Sequence, residues 1–184
     1  ASSIQALRDN PYGRSKLAAE FAVKALAEST RSSVIIMRLP GVFGKWCRPN
    51  YNSVVATFCY NIARKLPIEI SDPAAEISLA YIDDVVADII QALEEAQPGC
   101  SYREPSRVYS ISIGALAERI TEIADGRKDL TIGKVGVDLM RALYATYISN
   151  LPTSEFSYAV PGYEDERGIF VEMLKTEDSG QFSY

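Results

Sequence analysis

Residues 33–38, Ser-Val-Ile-Ile-Met-Arg, constrain the fold more than any other stretch of the chain. Apolar residues follow one another here without alternation, as in a parallel strand that is covered on both faces of its sheet. A helix is predicted directly before this strand, and further helices and strands alternate after it. This alternation indicates an α/β fold with a parallel sheet and right-handed crossovers.

The helix before the strand is predicted over residues 11–29. Asp9 or Asn10 is a natural N-cap, and Pro11 suits the first helical position because its missing N–H has no intrahelical partner there. Apolar residues recur at helical spacing and predict the buried face. These residues are Leu17, Phe21, Ala22, Ala25 and Leu26.

The other predicted elements follow from the same signals. Pro40 and Gly41 end the strand and open a loop over 39–52. Asp83 and Asp84 are predicted to cap a helix. The remaining predictions are helices over 53–65, 83–96, 112–125 and 136–148, strands over 68–70, 77–82 and 108–112, a connection over 97–107, and a lone strand over 169–174 after a loop that begins at 151.

Composition excludes several classes of function. The chain has no histidine, which rules out Ser-His-Asp triads and HExxH zinc sites. The 19 Lys and Arg residues are scattered and the net charge is −5, so no nucleic-acid partner is expected. The three cysteines, which are Cys47, Cys59 and Cys100, form no CxxC pair, and no metal site is predicted. No stretch is apolar enough to span a membrane and no leader is recognisable, so the chain is expected in the cytoplasm.

Tyr12 and Lys16 are the residues with the clearest chemical meaning. Four positions apart on a helix, they lie on one face with Cβ atoms about 6 Å apart, so both side chains reach one bound molecule. An ammonium beside a phenol favours the phenolate, and the pair can therefore exchange a proton without histidine. The alternative is a surface helix on which the lysine stem covers the tyrosine ring.

The run Asn-Pro-Tyr-Gly-Arg-Ser-Lys, the Ser-Ser-Ile-Gln-Ala before it and the Arg-Leu-Pro-Gly-Val-Phe-Gly after the strand together resemble the extended short-chain dehydrogenase/reductase family. The resemblance implies that Tyr12 is the general acid/base, that Lys16 tunes Tyr12 and holds the nicotinamide ribose, and that Ser3, or failing it Ser2, binds the reacting oxygen. It also implies that the cofactor is NADP(H) or NAD(H). The residues beside the nicotinamide would be Arg38, Pro40 and Val42.

Within that family, Phe-Gly-Lys-Trp-Cys-Arg-Pro-Asn-Tyr-Asn-Ser-Val resembles bacterial capsular-polysaccharide and O-antigen reductases that act on a UDP-linked 4-keto-6-deoxy-N-acetylhexosamine. Cationic and amide donors suit a diphosphate, and aromatic rings offer a flat surface to a uracil. The candidate substrate residues are Lys45, Trp46, Arg48, Asn50 and Asn52. A solvated loop with structural aromatics is the alternative.

No Gly-rich turn follows a strand, although the family uses one to bind the cofactor pyrophosphate. The expected architecture is a partial Rossmann-like domain that lacks its N-terminal half, with a mixed α/β substrate-binding subdomain, over residues 1–150, followed by a linker and the start of a truncated β-rich, cupin-like domain over 151–184. The fragment alone is expected to be inactive, and the complete enzyme a homodimer. The alternatives are a nucleotide-sugar epimerase or dehydratase with bound NAD, and a non-catalytic fragment for substrate binding or self-association.

Overall fold

The computed structural model describes residues 1–176 and 180–183, and these divide into two compact units. Among these described residues, the first unit comprises 1–42 and 77–110, and the second comprises 43–76, 111–176 and 180–183. The chain passes between them within strands. The predicted division near residue 150, between a reductase portion and a cupin-like portion, stays a prediction.

The first unit is a parallel sheet with a helix packed on it. Its three-stranded sheet has the order β1 (Ser2–Ser3), β2 (Ser33–Leu39), β5 (Gly99–Arg103), with β2 parallel to both neighbours. A 3₁₀ turn over Ile4–Leu7 leads from β1 to α1 (Pro11–Thr30), which packs against β2 and β5. The other elements here are β3 (Gly41–Phe43), β4 (Glu76–Tyr81), α3 (Ile82–Glu94) and β6 (Tyr109–Ser112), and the three strands form a second sheet in the order β3-β4-β6.

The second unit has a helical core and a small sheet. Its helices α2 (Val54–Ala63), α4 (Ile113–Gly126) and α5 (Asp138–Asn150) contact one another. The fully buried side chains between them include Val55, Cys59, Leu116, Ile120 and Leu143. Strand β9 (Gly168–Thr176) pairs with β7 (Thr131–Ile132) in parallel and with β8 (Gly162–Asp165) and β10 (Gly180–Ser183) antiparallel. A short 3₁₀ turn covers Thr153–Glu155.

The helix predictions are confirmed where a local cap defines the start. Asn10 caps α1 through its side chain, as predicted, with Pro11 in the first turn. Ser112 caps α4 in the same way, and Ser53 caps α2. The predicted N-cap role of Asp83 and Asp84 is wrong: α3 begins at Ile82 after Tyr81, and both aspartates lie in the first turn. Acids in that turn still suit the positive end of the helix dipole.

The predicted buried face of α1 is also wrong. Phe21 and Leu26 are 64% and 52% exposed, and Ala22 and Ala25 are exposed as well. The residues that α1 buries are Gly13, Glu20 and Ala27, with Leu17 half-buried. The reason is that the helix approaches its neighbours closely at Gly13 and places an ion pair, rather than apolar side chains, against the sheet.

Four strand predictions need correction. Residues 41–43, predicted as loop, form β3, and residues 99–103, predicted as part of a connection, form β5. Residues 68–70, predicted as a strand, carry no regular structure. The strand predicted over 169–174 is not alone, because β9 has β7, β8 and β10 beside it. Strand β5 owes its extended form to pairing with the distant β2, which the local pattern does not indicate.

Candidate active site

The start of α1 is held by a cap and by an unusually close approach. Asn10 Oδ1 accepts a hydrogen bond from the Gly13 amide at 2.7 Å. A Cβ atom on Gly13 would lie only 2.3 Å from the carbonyl oxygens of Gln5 and Arg8, closer than van der Waals contact allows. Glycine is therefore required for α1 to pack on the 3₁₀ turn. This packing places the side chain of the neighbouring Tyr12.

Tyr12 and Lys16 form a pair at the start of the helix. The Lys16 Nζ atom lies 5.4 Å from the centroid of the Tyr12 ring, within the range of a cation–π contact. Tyr12 is 49% exposed, and Lys16 is half-buried. The structure thus brings the two predicted residues together on one face.

The two serines of β1 have different surroundings. Ser3 Oγ accepts a hydrogen bond from the Gln5 amide at 3.2 Å and so caps the 3₁₀ turn, which leaves its hydroxyl hydrogen for donation. Ser2 Oγ donates to Glu20 Oε1 at 2.5 Å. The Ser2 hydroxyl is thus bound to a buried carboxylate. Of the two serines, Ser3 is therefore the one whose hydroxyl hydrogen is not used in the Glu20 contact.

Glu20, which sequence reasoning missed, is the buried centre of a polar cluster. Its side chain is 3% exposed and receives both Arg38 Nε, at 3.0 Å, and an Arg38 terminal nitrogen, at 2.7 Å. The Tyr102 hydroxyl donates to the same carboxylate at 3.2 Å. The Tyr102 ring lies 5.0 Å from the Arg38 guanidinium carbon. One carboxylate therefore joins α1 to all three strands of the sheet.

Charge in this cluster is strongly stabilised. The hydrogen bonds from Arg38 are the main cause that lowers the pKa of Glu20 to about 2, against the opposing effect of burial, and Ser2 and Tyr102 lower it further. Burial, with the neighbouring Glu20 charge, raises the pKa of Tyr102. Glu20 is therefore ionised at neutral pH and Tyr102 is a neutral donor. In the sequence, the available signal for Glu20 was its position: it is an acidic residue eight positions after Tyr12, on the same side of the helix as Tyr12 and Lys16.

Two cavities border these residues within the first unit. A cavity of about 390 Å³ is lined by Arg38, Pro40, Tyr102 and residues of the 3₁₀ turn, including Ile4 and Leu7. A second cavity of about 340 Å³ runs between α1 and β2, and its walls include Ser2, Lys16 and Glu20. Val42, the last of the predicted nicotinamide neighbours, is half-buried in β3 and lines neither cavity.

The predicted substrate residues lie in a loop of the second unit. Trp46 is 85% exposed, Arg48, Asn50 and Asn52 are also exposed, and Lys45 is half-buried. The backbone φ angle is 62° at Trp46, 55° at Asn50 and 54° at Asn52. Asparagine adopts this left-handed conformation more readily than most residues, whereas a bulky tryptophan adopts it at a cost.

Hydrogen bonds from backbone amides hold this loop in place, and most of the loop side chains remain exposed. The Asn50 amide donates to Thr57 Oγ1 at 2.9 Å, and the Trp46 amide donates to Ser149 Oγ at 3.4 Å. The Arg48 guanidinium carbon lies 5.5 Å from the Tyr51 ring centroid. The loop therefore presents a cation, amides and two exposed aromatic rings just before α2, a set of groups able to bind an anion and a flat ring.

The candidate residues thus fall into two sets. Ser3, Tyr12 and Lys16 belong to the first unit, as do Arg38, Pro40 and Val42. The five predicted substrate residues belong to the second. Within residues 1–176 and 180–183, no group of acidic, cysteine or histidine side chains is arranged to hold a metal ion. None of the helices in this described part combines the length and apolar character needed to cross a membrane.

Comparison with known proteins relates this geometry to a family. Residues 4–111 match the profile of the NAD dependent epimerase/dehydratase family. The chain is 54% identical over 183 residues to a UDP-2-acetamido-2,6-beta-L-arabino-hexul-4-ose reductase from Pseudomonas aeruginosa, covering 100% of this chain and 49% of that protein.

Two solved structures are similar as well. The capsular polysaccharide assembling protein CapF from Staphylococcus aureus superimposes with a TM-score of 0.92 at 43% identity, over 100% of this chain and 50% of that one. UDP-glucose 4-epimerase from Thermus thermophilus, in complex with NAD, has a TM-score of 0.63 at 16% identity over 77% of this chain and 54% of that one, which shows a shared fold. The chain spans about half the length of the relatives that it matches.

Proposed function

This chain belongs to the NAD dependent epimerase/dehydratase family, and on that premise we propose that it is the active-site portion of a reductase. The substrate class is a UDP-linked 4-keto-6-deoxy-N-acetylhexosamine of capsular-polysaccharide or O-antigen synthesis. The observation that carries the proposal is the Tyr12–Lys16 pair at the start of α1, with Ser3 on the adjoining strand. The 54% identity to a reductase of that sugar class supports the choice of substrate.

The chemistry assigned to the chain is proton transfer to a carbonyl oxygen. Tyr12 donates its phenolic proton to the oxygen at sugar C4 as that oxygen gains charge, and it is exposed enough to meet a substrate. Lys16, held over the Tyr12 ring, stabilises the phenolate left behind and contacts the cofactor ribose. Ser3 donates a hydrogen bond to the same carbonyl oxygen. A nicotinamide cofactor, NADPH in this proposal, supplies the hydride when bound.

The surroundings of Lys16 suit such a cofactor. Its side chain borders a cavity beside β2, so its ammonium can reach hydroxyl groups of a bound ribose. Arg38, Pro40 and Val42 are proposed to form the wall beside the nicotinamide. Because the Arg38 guanidinium is bound to Glu20, Arg38 contributes to the shape of this wall rather than a free charge.

The exposed loop of the second unit is proposed to hold the nucleotide part of the substrate. Lys45, Arg48, Asn50 and Asn52 offer donors for the diphosphate. Trp46, which is 85% exposed, offers a face on which the uracil can stack. The proposal predicts that Trp46→Ala raises the KM for the UDP-sugar much more than it lowers kcat.

Self-association and cellular location complete the proposal. Phe21 and Leu26 are large apolar side chains on the exposed face of α1. An exposed apolar helix face is typical of an interaction surface, and we assign it to a homodimer of the complete enzyme.

The nucleotide-sugar substrate and the reduced cofactor are cytoplasmic metabolites, so the enzyme is assigned to the cytoplasm.

One experiment tests the catalytic assignment. In the complete reductase that carries this chain, Tyr12→Phe should lower kcat by ~10²–10⁴-fold, because the general acid is lost, while cofactor affinity changes little. Tyr163→Phe, an exposed tyrosine of β8 outside the site, is the matched control and should retain full activity. Full activity of Tyr12→Phe would show that the acid/base assignment is wrong.

A second experiment separates the proposed reductase from its alternatives. A reductase consumes one NADPH for each sugar, whereas an epimerase or dehydratase of the same family retains its NAD and shows no net NADPH consumption. The 184-residue chain alone is expected to show no micromolar NADPH binding by calorimetry, since no Gly-rich pyrophosphate turn is present in its sequence. If the complete protein binds the UDP-sugar but does not turn it over, the non-catalytic alternative is supported.

A further inference from the structure

We propose that Glu20 is a positioning residue of the active site, which fixes the serine strand β1 against the helix that carries Tyr12 and Lys16. This inference rests on the proposed function of Ser3, Tyr12 and Lys16. It adds a residue that acts by holding the backbone on either side of the site.

The position of Glu20 on α1 is the first step of the argument. Tyr12, Lys16 and Glu20 are spaced by four residues each, so they lie within about 80° around the helix axis and about 12 Å along it. Exposure falls along this series: Tyr12 is 49% exposed, Lys16 is half-buried and Glu20 is 4% exposed. On this face of α1, the more exposed end therefore carries Tyr12 and Lys16, which are assigned to catalysis, and the buried end carries Glu20.

The link from Glu20 to the serine strand is the second step. Ser2 donates to Glu20 Oε1, and the adjacent Ser3 is the residue assigned to the substrate oxygen. Strand β1 has only two residues in register with β2, Ser2 with Arg38 and Ser3 with Leu39. So short a pairing gives little orientation of its own. The hydrogen bond to a buried carboxylate supplies a further restraint on where Ser3 lies.

Arg38 makes this anchor rigid. It holds both oxygens of Glu20 through two donors, and its own backbone lies opposite Ser2 in the sheet. The carboxylate cannot rotate without breaking this bidentate pair, so the oxygen that receives Ser2 is fixed. Tyr102 also donates to Glu20 but belongs to β5, which carries none of the proposed catalytic residues.

Two serine variants form a matched pair. Ser2→Ala removes the link between β1 and Glu20, and the control Ser29→Ala removes an exposed hydroxyl that donates to the Leu26 carbonyl at the far end of α1. In the complete reductase, Ser2→Ala should lower kcat by ~10-fold to ~100-fold with little change in the KM for cofactor, as expected when a catalytic group is misplaced. Ser29→Ala should retain kcat within about twofold.

A direct catalytic role of Ser2 would give the same loss, and a double-mutant cycle distinguishes it. If Ser2 acts through Glu20, Glu20→Gln should also lower kcat, and adding Ser2→Ala to it should cost little more. Ser2→Thr keeps the hydroxyl and should restore most of the activity. Losses that simply add, or a Glu20→Gln variant that is folded and fully active, would overturn the proposal.

A measurement without turnover separates this proposal from the proposed function. In the complete reductase, without substrate, Ser2→Ala should speed hydrogen exchange of amides in β1 and the 3₁₀ turn, while Ser29→Ala should leave them unchanged. Unchanged exchange in Ser2→Ala would refute the anchor even if the enzyme is a reductase. Faster exchange, with a wild-type complete protein that reduces no sugar, would refute the function and retain the anchor.

Discussion

Replacing Glu20 by glutamine should remove a pH-dependent part of the stability of the fold. Glutamine has nearly the same size, but its amide nitrogen is a donor, so it cannot accept both donors of Arg38. The fall in the Glu20 pKa from 4.5 to about 2 corresponds to about 3 kcal/mol in favour of the ionised folded state, at about 1.4 kcal/mol for each factor of ten in proton affinity.

The direction of the pH dependence follows from the lowered pKa. The folded protein holds Glu20 ionised while the unfolded chain takes up the proton near pH 4.5, so folding loses this stabilisation as the pH falls from about 4.5 to about 2. Glu20→Gln cannot ionise and lacks the contribution at every pH. The difference in unfolding free energy between the two proteins should therefore be about 3 kcal/mol at pH 7 and shrink towards zero near pH 2.

Urea unfolding followed by circular dichroism, at several pH values from 7 to 2.5, measures this difference. Other acidic groups titrate in both proteins, so the subtraction isolates Glu20. Glu95→Gln is the control, because the Glu95 side chain is 49% exposed and its pair with Arg103 is screened by solvent. A difference for Glu20→Gln that stays constant across this range, or that matches the control at pH 7, would refute the reasoning.

Three further predictions concern the start of α1 and a core cysteine. Gly13→Ala should lower the unfolding free energy by about 1–3 kcal/mol in urea titrations, because its Cβ would meet two carbonyl oxygens at 2.3 Å, whereas Ala25→Ser on the exposed face should change little. Asn10→Ala should cost about 1 kcal/mol by the same titration and Asn10→Ser should restore most of it; equal stabilities would argue against the cap. Cys59 is fully buried, and this burial is the main cause that raises the pKa of its thiol. Cys59 should therefore react with a maleimide only after unfolding, and rapid labelling of the native chain would contradict its place in the core.

Local signals in the sequence predicted the elements with local causes. The N-caps Asn10 and Ser112 hydrogen-bond to amides three residues on, so a short stretch of sequence contains the whole interaction. The spacing of Tyr12 and Lys16 is set by helix geometry alone, and their side chains meet as predicted. The parallel strand at 33–38 was also predicted, because a run of branched apolar residues fits a covered sheet.

Interactions between distant residues account for what the sequence did not predict. Arg38 is 18 positions from Glu20 and Tyr102 is 82 positions away, so no local pattern indicates that they share a carboxylate. Strand β5 was missed because its residues, Gly99–Arg103, are mostly polar and owe their extended form to pairing with β2. The buried face of α1 was misjudged for the same reason, since its partners are a close backbone at Gly13 and an arginine rather than an apolar layer.

Glu20 is a charged residue on the buried side of α1, and its contacts explain why a carboxylate is found there. An apolar side chain at this position would contribute burial energy without direction, whereas a carboxylate with fixed donors sets both the rotation of the helix and the place of β1. In the proposed mechanism Tyr12 and Ser3 meet one carbonyl oxygen. Ser3 adjoins Ser2, which donates to Glu20, and Tyr12 lies about two helical turns before Glu20 on α1. On this proposal, their relative position depends on the carboxylate as well as on the short β1–β2 pairing. Changes to the cluster that leave the protein folded should therefore lower turnover.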